Sequence, residues 1–100
     1  MKALLNKYFL LILTSSMLTT PAFASIDFYA GMTAYNKGNM QTAKVMFQKA
    51  IALNKNDANA HYMYAQVLTK EKKYDLAKQE YKKVISIAPN SQAATYSKQG

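Results

Sequence analysis

Apolar residues in this chain recur every three or four positions, which is the spacing of one face of an α-helix. The pattern is clearest between residues 40 and 53, where it comprises Ala43, Met46, Phe47, Ala50, Ile51 and Leu53. No stretch alternates apolar and polar residues as a half-buried strand does. The chain is therefore predicted to be all-α, with helices at Ile26–Tyr35, Met40–Leu53, Ala58–Thr69 and Tyr74–Ile87 and a fifth beginning at Gln92.

Polar turns separate the predicted helices. Gly38 follows the basic end of the first helix and is a stop signal of the kind that often ends helices. Lys72 takes the corresponding place in the later turn, so that turn is less clearly marked. Ser25, Asp57 and Ser91 each precede a predicted helix and are suited to cap it, because their side-chain oxygens can accept from free backbone amides.

The inward faces of the later helices follow from the same periodicity. The third helix is predicted to turn His61, Tyr64, Ala65 and Leu68 inward. The fourth is predicted to turn Ala77, Tyr81, Val84, Ile85 and Ile87 inward. Each helix is short for stability in isolation, so tertiary packing must hold the helices together.

The helices form pairs that repeat at an offset of 34 residues. Residues 24–57 align with residues 58–91 without a gap. The aligned positions include Ala43 with Ala77, Phe47 with Tyr81, Ala50 with Val84 and Ile51 with Ile85. Units of this length cannot bury their apolar face alone and stack on a neighbour. Stacked repeats offer an extended binding surface, and the pattern points away from a catalytic cleft.

A helix–turn–helix unit of this length resembles the tetratricopeptide repeat, whose pattern includes Ala-x3-Phe followed by Ala and Pro. Ala43-x3-Phe47 stands in the first unit, and Ala77-x3-Tyr81, followed by Pro89, stands in the second. The first helix of each unit matches the pattern less well. The resemblance implies an α-solenoid of two units, residues 25–57 and 58–91, with residues 92–100 as a capping helix or the start of a third unit. Small residues at Ala43 and Ala77 would lie where the helices of a unit cross closely.

The first 24 residues have the pattern of a secretory signal peptide. Lysines precede a short apolar run at residues 8–13, and Ala22 and Ala24 are small residues at the positions that a signal peptidase reads. We expect cleavage between Ala24 and Ser25, and an exported, periplasmic or secreted protein without a stable membrane anchor afterwards. The alternative is an uncleaved N-terminal anchor.

All thirteen basic residues are lysine, against five acidic residues, and the formal net charge is +8. Such an excess can favour acidic partners or anionic surfaces, although the charge pattern itself is typical of a solvated helix surface. Arginine, the usual residue for bidentate phosphate recognition, is absent. Nucleic acid is therefore not an expected partner.

The residues that commonly carry chemistry are sparse. The chain has no cysteine and one histidine, which excludes disulfides, Cys–His dyads and ordinary zinc sites. His61 is expected to be a packed structural residue, and Asp75 and Glu80 are expected to be solvated, with Glu80 within reach of Lys83. The sequence therefore predicts no catalytic, cofactor-binding or metal-binding residue and no enzymatic activity.

The resemblance also implies where a partner would bind, because the first helix of each tetratricopeptide unit lines a concave groove that holds extended peptides. The corresponding residues are Phe28, Met32, Tyr35, Asn36, Tyr62, Gln66, Thr69, Lys70 and Tyr96. Phe28, Tyr62 and Tyr96 share one register and are expected to form an aromatic ladder. The alternative is that these residues are covered by a neighbouring subunit or by later repeats.

These observations predict an exported protein-interaction module that binds a protein or peptide. One alternative is the N-terminal interaction module of a longer exported enzyme, such as a hydrolase. Another is a structural subunit of an envelope assembly that associates with itself.

Overall fold

The computed structural model describes residues 21–99, and over this range it consists of helices and turns without a strand. The helices are α1 (Pro21–Asn36), α2 (Met40–Leu53), α3 (Ala58–Lys70), α4 (Tyr74–Ile87) and α5 (Gln92–Gln99). The predicted all-α fold is confirmed, and the predicted bounds of α2 and α4 agree with the structure. Residues 1–20, the larger part of the predicted signal peptide, lie outside the described range.

The start of α1 differs from the prediction. The helix is already formed at Pro21, the first described residue, whereas the expected start was Ile26 with Ser25 as its N-cap. Ser25 therefore lies inside α1 and does not cap it, and the helix runs across the predicted cleavage site.

The helices stack in chain order. α1 packs on α2, and α3 packs on α4, which gives two helix–turn–helix pairs. α2 also contacts α3, and α4 contacts α5, so each pair rests on the next helix along the chain. α3 contacts both α1 and α5, which places the first helices of successive pairs side by side. None of the described helices has the length and apolar composition that a membrane span requires.

The two turns within the pairs have the same backbone geometry. Gly38 has φ 79° and Lys72, in the equivalent place, has φ 62°. In each turn the following residue donates its amide to a carbonyl five residues earlier: Asn39 to Ala34 and Lys73 to Leu68, both at 2.9 Å. This is the hydrogen bond of a Schellman-type helix end. The second turn therefore forces a lysine into the left-handed conformation that glycine adopts without strain.

Side-chain caps fix the starts of three helices. Asn39, Asp57 and Ser91 each accept a hydrogen bond from the amide three residues further on, at 3.3, 3.1 and 3.0 Å. The predicted caps at Asp57 and Ser91 are confirmed. α4 has no side-chain cap, since Lys73 occupies that position.

Two apolar clusters form the core. The first contains Ala34, Ala43, Phe47 and Val67. The second contains Val84, Ala93 and Ala94, with Ala58, Tyr62 and Ile85 packed against it. α3 contributes to both clusters, because Val67 lies in the first and Tyr62 packs against the second. Neither cluster is complete without this helix.

Most of the residues predicted to face inward are buried in the middle of each helix, but some at the helix ends are exposed. Phe47 and Leu68 are buried as expected, but Leu53, at the end of α2, is 51% exposed. Val67 is fully buried, although it lies off the predicted stripe of α3. Because α3 has neighbours on two sides, its buried arc is wider than the single stripe that a helix on a surface shows.

The first pair contains one unusually close helix contact. Gly31 of α1 lies against the ring of Phe47 on α2, and a Cβ atom added at Gly31 would lie 2.6 Å from Cε1 of that ring. Gly31 therefore allows the two helices to approach, which accounts for the small residue that the repeat pattern requires at this position.

Candidate binding surface

The residues implied to bind a partner lie on α1, α3 and α5, the adjacent first helices. Three of them are exposed: Asn36, Lys70 and Tyr96. The other six are half-buried: Phe28, Met32, Tyr35, Tyr62, Gln66 and Thr69. The first three of these six also pack against the core of the first pair. The surface thus combines an exposed margin with side chains that are anchored from beneath.

The aromatic residues of this surface pack mainly within their own helix pair. The ring of Phe28 lies 5.8 Å from that of Phe47, and the ring of Tyr62 lies 5.9 Å from that of Tyr81. Tyr62 and Tyr96 are also in contact, with ring centroids 6.3 Å apart. The expected ladder is therefore present as the contact between Tyr62 and Tyr96, while Phe28 faces the core of the first pair.

Amide side chains orient the two phenols of this contact. Gln66 Nε2 donates to the Tyr62 hydroxyl at 2.8 Å, and Gln92 Nε2 donates to the Tyr96 hydroxyl at 2.9 Å. Each phenol accepts from glutamine, so its own O–H is free to donate to a ligand. Gln92 was absent from the predicted set, and its only sequence signal is that it lies one helical turn before Tyr96.

A further tyrosine supports the surface from α4. Burial raises the pKa of the Tyr81 phenol, the nearby Thr69 hydroxyl lowers it in part, and the neighbouring Tyr62 and Tyr35 raise it further. The sequence predicted Tyr81 to be a core residue, but it is only half-buried. Tyr81 therefore supports the ring of Tyr62 from beneath.

The polar residues at the helix ends are less constrained. Asn36 and Lys70 end α1 and α3 at equivalent repeat positions, and both are exposed. Thr69 donates to the carbonyl of Ala65 at 2.9 Å, which holds its side chain against α3. Lys70 is therefore suited to a charged contact at the edge of a bound segment, where solvent screens it.

A buried, hydrogen-bonded pair of polar side chains lies elsewhere, between α3 and α4. His61 Nδ1 is 2.6 Å from Glu80 Oε2, and His61 Nε2 is 2.8 Å from the carbonyl oxygen of Lys55. Lys83 Nζ donates to Glu80 Oε1 at 2.9 Å, which confirms the predicted Glu80–Lys83 contact. The prediction that Glu80 is solvated was wrong, because the histidine provides a buried partner for it.

The partners of His61 define its role. Both ring nitrogens are within hydrogen-bond distance of protein oxygens, so neither points a free lone pair at a substrate or a metal ion. Within residues 21–99, no three His, Asp or Glu side chains gather as a metal site would require. The histidine therefore links the turn before α3 to α4 and has a structural role.

Paired helices that repeat at one period and pack on one another in chain order define an α-solenoid of helix–turn–helix units. The tetratricopeptide repeat family matches residues 34–97, and the chain belongs to this family. A comparison with curated proteins finds no match. Tetratricopeptide repeats generally mediate protein–protein interactions and are typically not enzymes. The general class of function is thus an interaction module.

Proposed function

We propose that this chain is an exported interaction module that binds a peptide or protein segment on the surface formed by α1, α3 and α5, and that it performs no catalysis. The observation that supports this proposal best is the contact between Tyr62 and Tyr96. It joins two successive first helices and leaves Tyr96 47% exposed. Aromatic rings with a polar tip are enriched in protein interfaces.

The pair of tyrosines suits an extended segment because it combines a fixed ring with an accessible one. Tyr62 is held by Tyr81 behind it and by Gln66 at its hydroxyl. Tyr96 presents its ring to solvent while Gln92 fixes its hydroxyl. Little side-chain freedom remains to be lost on binding, which favours affinity. The phenol O–H groups can donate to backbone carbonyls of the ligand.

The same surface would serve if the chain were the N-terminal module of a longer exported enzyme. The partner would still bind to the first helices of the units, and the same binding measurement would test it.

The test is a binding measurement with matched tyrosine variants. A partner captured from envelope extract would be purified and titrated against the protein by calorimetry. We expect Tyr96→Ala to weaken binding at least tenfold, since interface anchors often contribute about 2 kcal/mol or more. The control is Tyr29→Ala, which removes a tyrosine that is 71% exposed on α1 outside the predicted set. Equal affinity for Tyr96→Ala and the unchanged protein would place the site elsewhere.

Tyr62→Ala needs a stability measurement beside the titration. Because Tyr62 packs against Tyr81 and the second core cluster, its truncation is expected to lower stability as well as affinity. The sequence suggested that the ring lies outside the core, and its observed packing revises this expectation. Lys70→Ala should act more weakly, and mainly at low salt, because the side chain is exposed.

Export is proposed from the N-terminal pattern alone. Intact mass spectrometry of the secreted protein should give a chain that begins at Ser25. The mature α1 would then keep Ile26–Asn36 and would carry Asp27 in its first turn, where negative charge suits the helix dipole. A mass that includes Met1–Ala24 would overturn this part of the proposal.

A further inference from the structure

The ring of His61 lies between two oxygen atoms that both accept hydrogen bonds. The residue is only 5% exposed. Its Nδ1 atom is 2.6 Å from the carboxylate oxygen Oε2 of Glu80, and its Nε2 atom is 2.8 Å from the backbone carbonyl oxygen of Lys55. A neutral imidazole has one N–H, so it can donate to only one of these acceptors. At the other nitrogen, its lone pair would then lie against the lone pairs of an oxygen.

A second proton on the ring removes this conflict. An imidazolium donates from both nitrogens, and each oxygen then receives a hydrogen bond. The alternative is a protonated Glu80 that donates to Nδ1, but Lys83 Nζ donates to the other carboxylate oxygen at 2.9 Å, and a cationic neighbour favours the ionised carboxylate. A short distance is also typical of a hydrogen bond between two charged groups. The arrangement that satisfies every contact is therefore an imidazolium between a carboxylate and a carbonyl.

The charged groups around His61 come from two elements. α4 provides Glu80 and Lys83, and the turn between α2 and α3 provides Lys55 and Asp57, whose carboxylate accepts from a backbone amide of α3. Within residues 21–99, Glu80 is the one carboxylate at ion-pair distance from the imidazole. The residues of α2 that line the cavity beside the ring are uncharged: Ile51 and Ala52. The proton on the ring thus depends on Glu80 and on the carbonyl of the turn.

We infer that the protonated ring of His61 is a pH-dependent link that ties the turn between the two repeat units to α4. When the ring loses one proton, we expect the remaining N–H to stay with the Glu80 carboxylate, because a hydrogen bond to a charged acceptor is the stronger one. Nε2 would then turn a lone pair toward the Lys55 carbonyl, and the turn would move away from α3. The cavity of ≈ 400 Å³ that Lys55 and Asn56 border would widen. This link does not depend on the function proposed above.

The link makes stability depend on pH in one direction. In an unfolded chain, histidine loses its second proton around pH 6.5. Above this pH, unfolding of the linked structure releases a proton, so the contribution of the link is complete at lower pH and is lost as the pH rises. One such proton changes the folding equilibrium constant by up to about tenfold per pH unit. A buried histidine that is neutral in the folded state gives the opposite dependence, since acid then destabilises the fold.

Urea unfolding between about pH 6 and pH 9 tests this dependence. His61 is the only histidine and the chain has no cysteine, so no other side chain ordinarily titrates in this interval. We expect the folding equilibrium constant of the unchanged protein to fall by about tenfold or more from pH 6.5 to pH 8.5. In Glu80→Gln the amide can donate to Nδ1 of a neutral ring, so this variant should show little dependence on pH. The matched control, Asp75→Asn, removes an exposed carboxylate of the same helix and should behave like the unchanged protein.

Nitrogen NMR of the ring observes the protons directly and requires no variant. Because there is one histidine, a long-range proton–nitrogen spectrum contains a single imidazole. At pH 7 we expect two protonated nitrogens in the unchanged protein, and faster amide exchange in residues 54–57 once the ring loses a proton. A ring with one unprotonated nitrogen at pH 7 would overturn the inference. Stability of the unchanged protein that stays constant or rises with pH, or an equal decline in Glu80→Gln, would overturn it as well.

Discussion

Gly31→Ala tests the close approach of α1 and α2. The added Cβ atom would lie 2.6 Å from Cε1 and 2.7 Å from Cδ1 of Phe47, well inside ordinary carbon contact. Phe47 is fully buried in the first core cluster, so its ring has no free space into which to withdraw. The substitution must therefore push the helices apart or force the ring from its rotamer.

Two opposing effects set the magnitude. Alanine is favoured over glycine inside a helix by about 1 kcal/mol, which by itself would stabilise α1. Overpacking a filled core costs roughly 1–3 kcal/mol. The overlap falls on one side of a rigid ring that the core holds in place, so we expect the cost to be the larger effect and the variant to lose about 1 kcal/mol in its free energy of unfolding.

Urea unfolding followed by circular dichroism measures this change. The matched control is Ala30→Gly, at the exposed neighbouring position, which should lose about 1 kcal/mol through helix propensity alone. In a Phe47→Leu background the shorter side chain leaves room for the methyl group, and Gly31→Ala should then be neutral or stabilising. If Gly31→Ala stabilises the unchanged protein by as much as Ala30→Gly destabilises it, the close approach is absent.

Three further changes test other features by the same unfolding assay. Lys72→Gly should stabilise the protein by about 1 kcal/mol, because it relieves a left-handed φ of 62°; an unchanged or lower midpoint would show that the turn adapts to lysine. Ala43→Leu and Ala77→Leu should each cost roughly 1–3 kcal/mol, because both alanines are buried within their helix pairs; an unchanged midpoint for either would show that its pair has room for the larger side chain. Glu80→Ala should cost roughly 1–3 kcal/mol by leaving the buried His61 Nδ1 without its hydrogen-bond partner, whereas Asp75→Ala, at an exposed position, should change stability by about 0.5 kcal/mol or less.

The periodic features of the fold could be predicted from the sequence, and features particular to one unit could not. The 34-residue alignment places Glu80 opposite Met46 and His61 opposite Asp27. A contact between His61 and Glu80 therefore has no counterpart in the first unit and is invisible to a comparison of repeats. Burial of both residues depends on their meeting across two helices, which a single-helix pattern does not encode.

The aromatic contacts of the candidate binding surface could also be predicted only in part from the sequence. Repeat register places Phe28, Tyr62 and Tyr96 at equivalent positions, but rotamers decide which rings meet. Phe28 finds the ring of Phe47 beneath it, whereas Tyr62 has Tyr96 beside it as well as Tyr81 beneath it. Which rings come into contact therefore depends on the neighbours of each helix and not on the sequence of the helix alone.

The sharing of α3 between the two core clusters has a consequence for cooperativity. Separating the helix pairs would remove Val67 of α3 from the first cluster and would expose both Val67 and the residues it covers. Partial unfolding of one pair would thus expose apolar surface in the other, and such coupling between neighbouring repeats suppresses half-folded states. We therefore expect α3 to open only when the rest of the described structure opens, and the outer helices α1 and α5 to be the places where local opening occurs first.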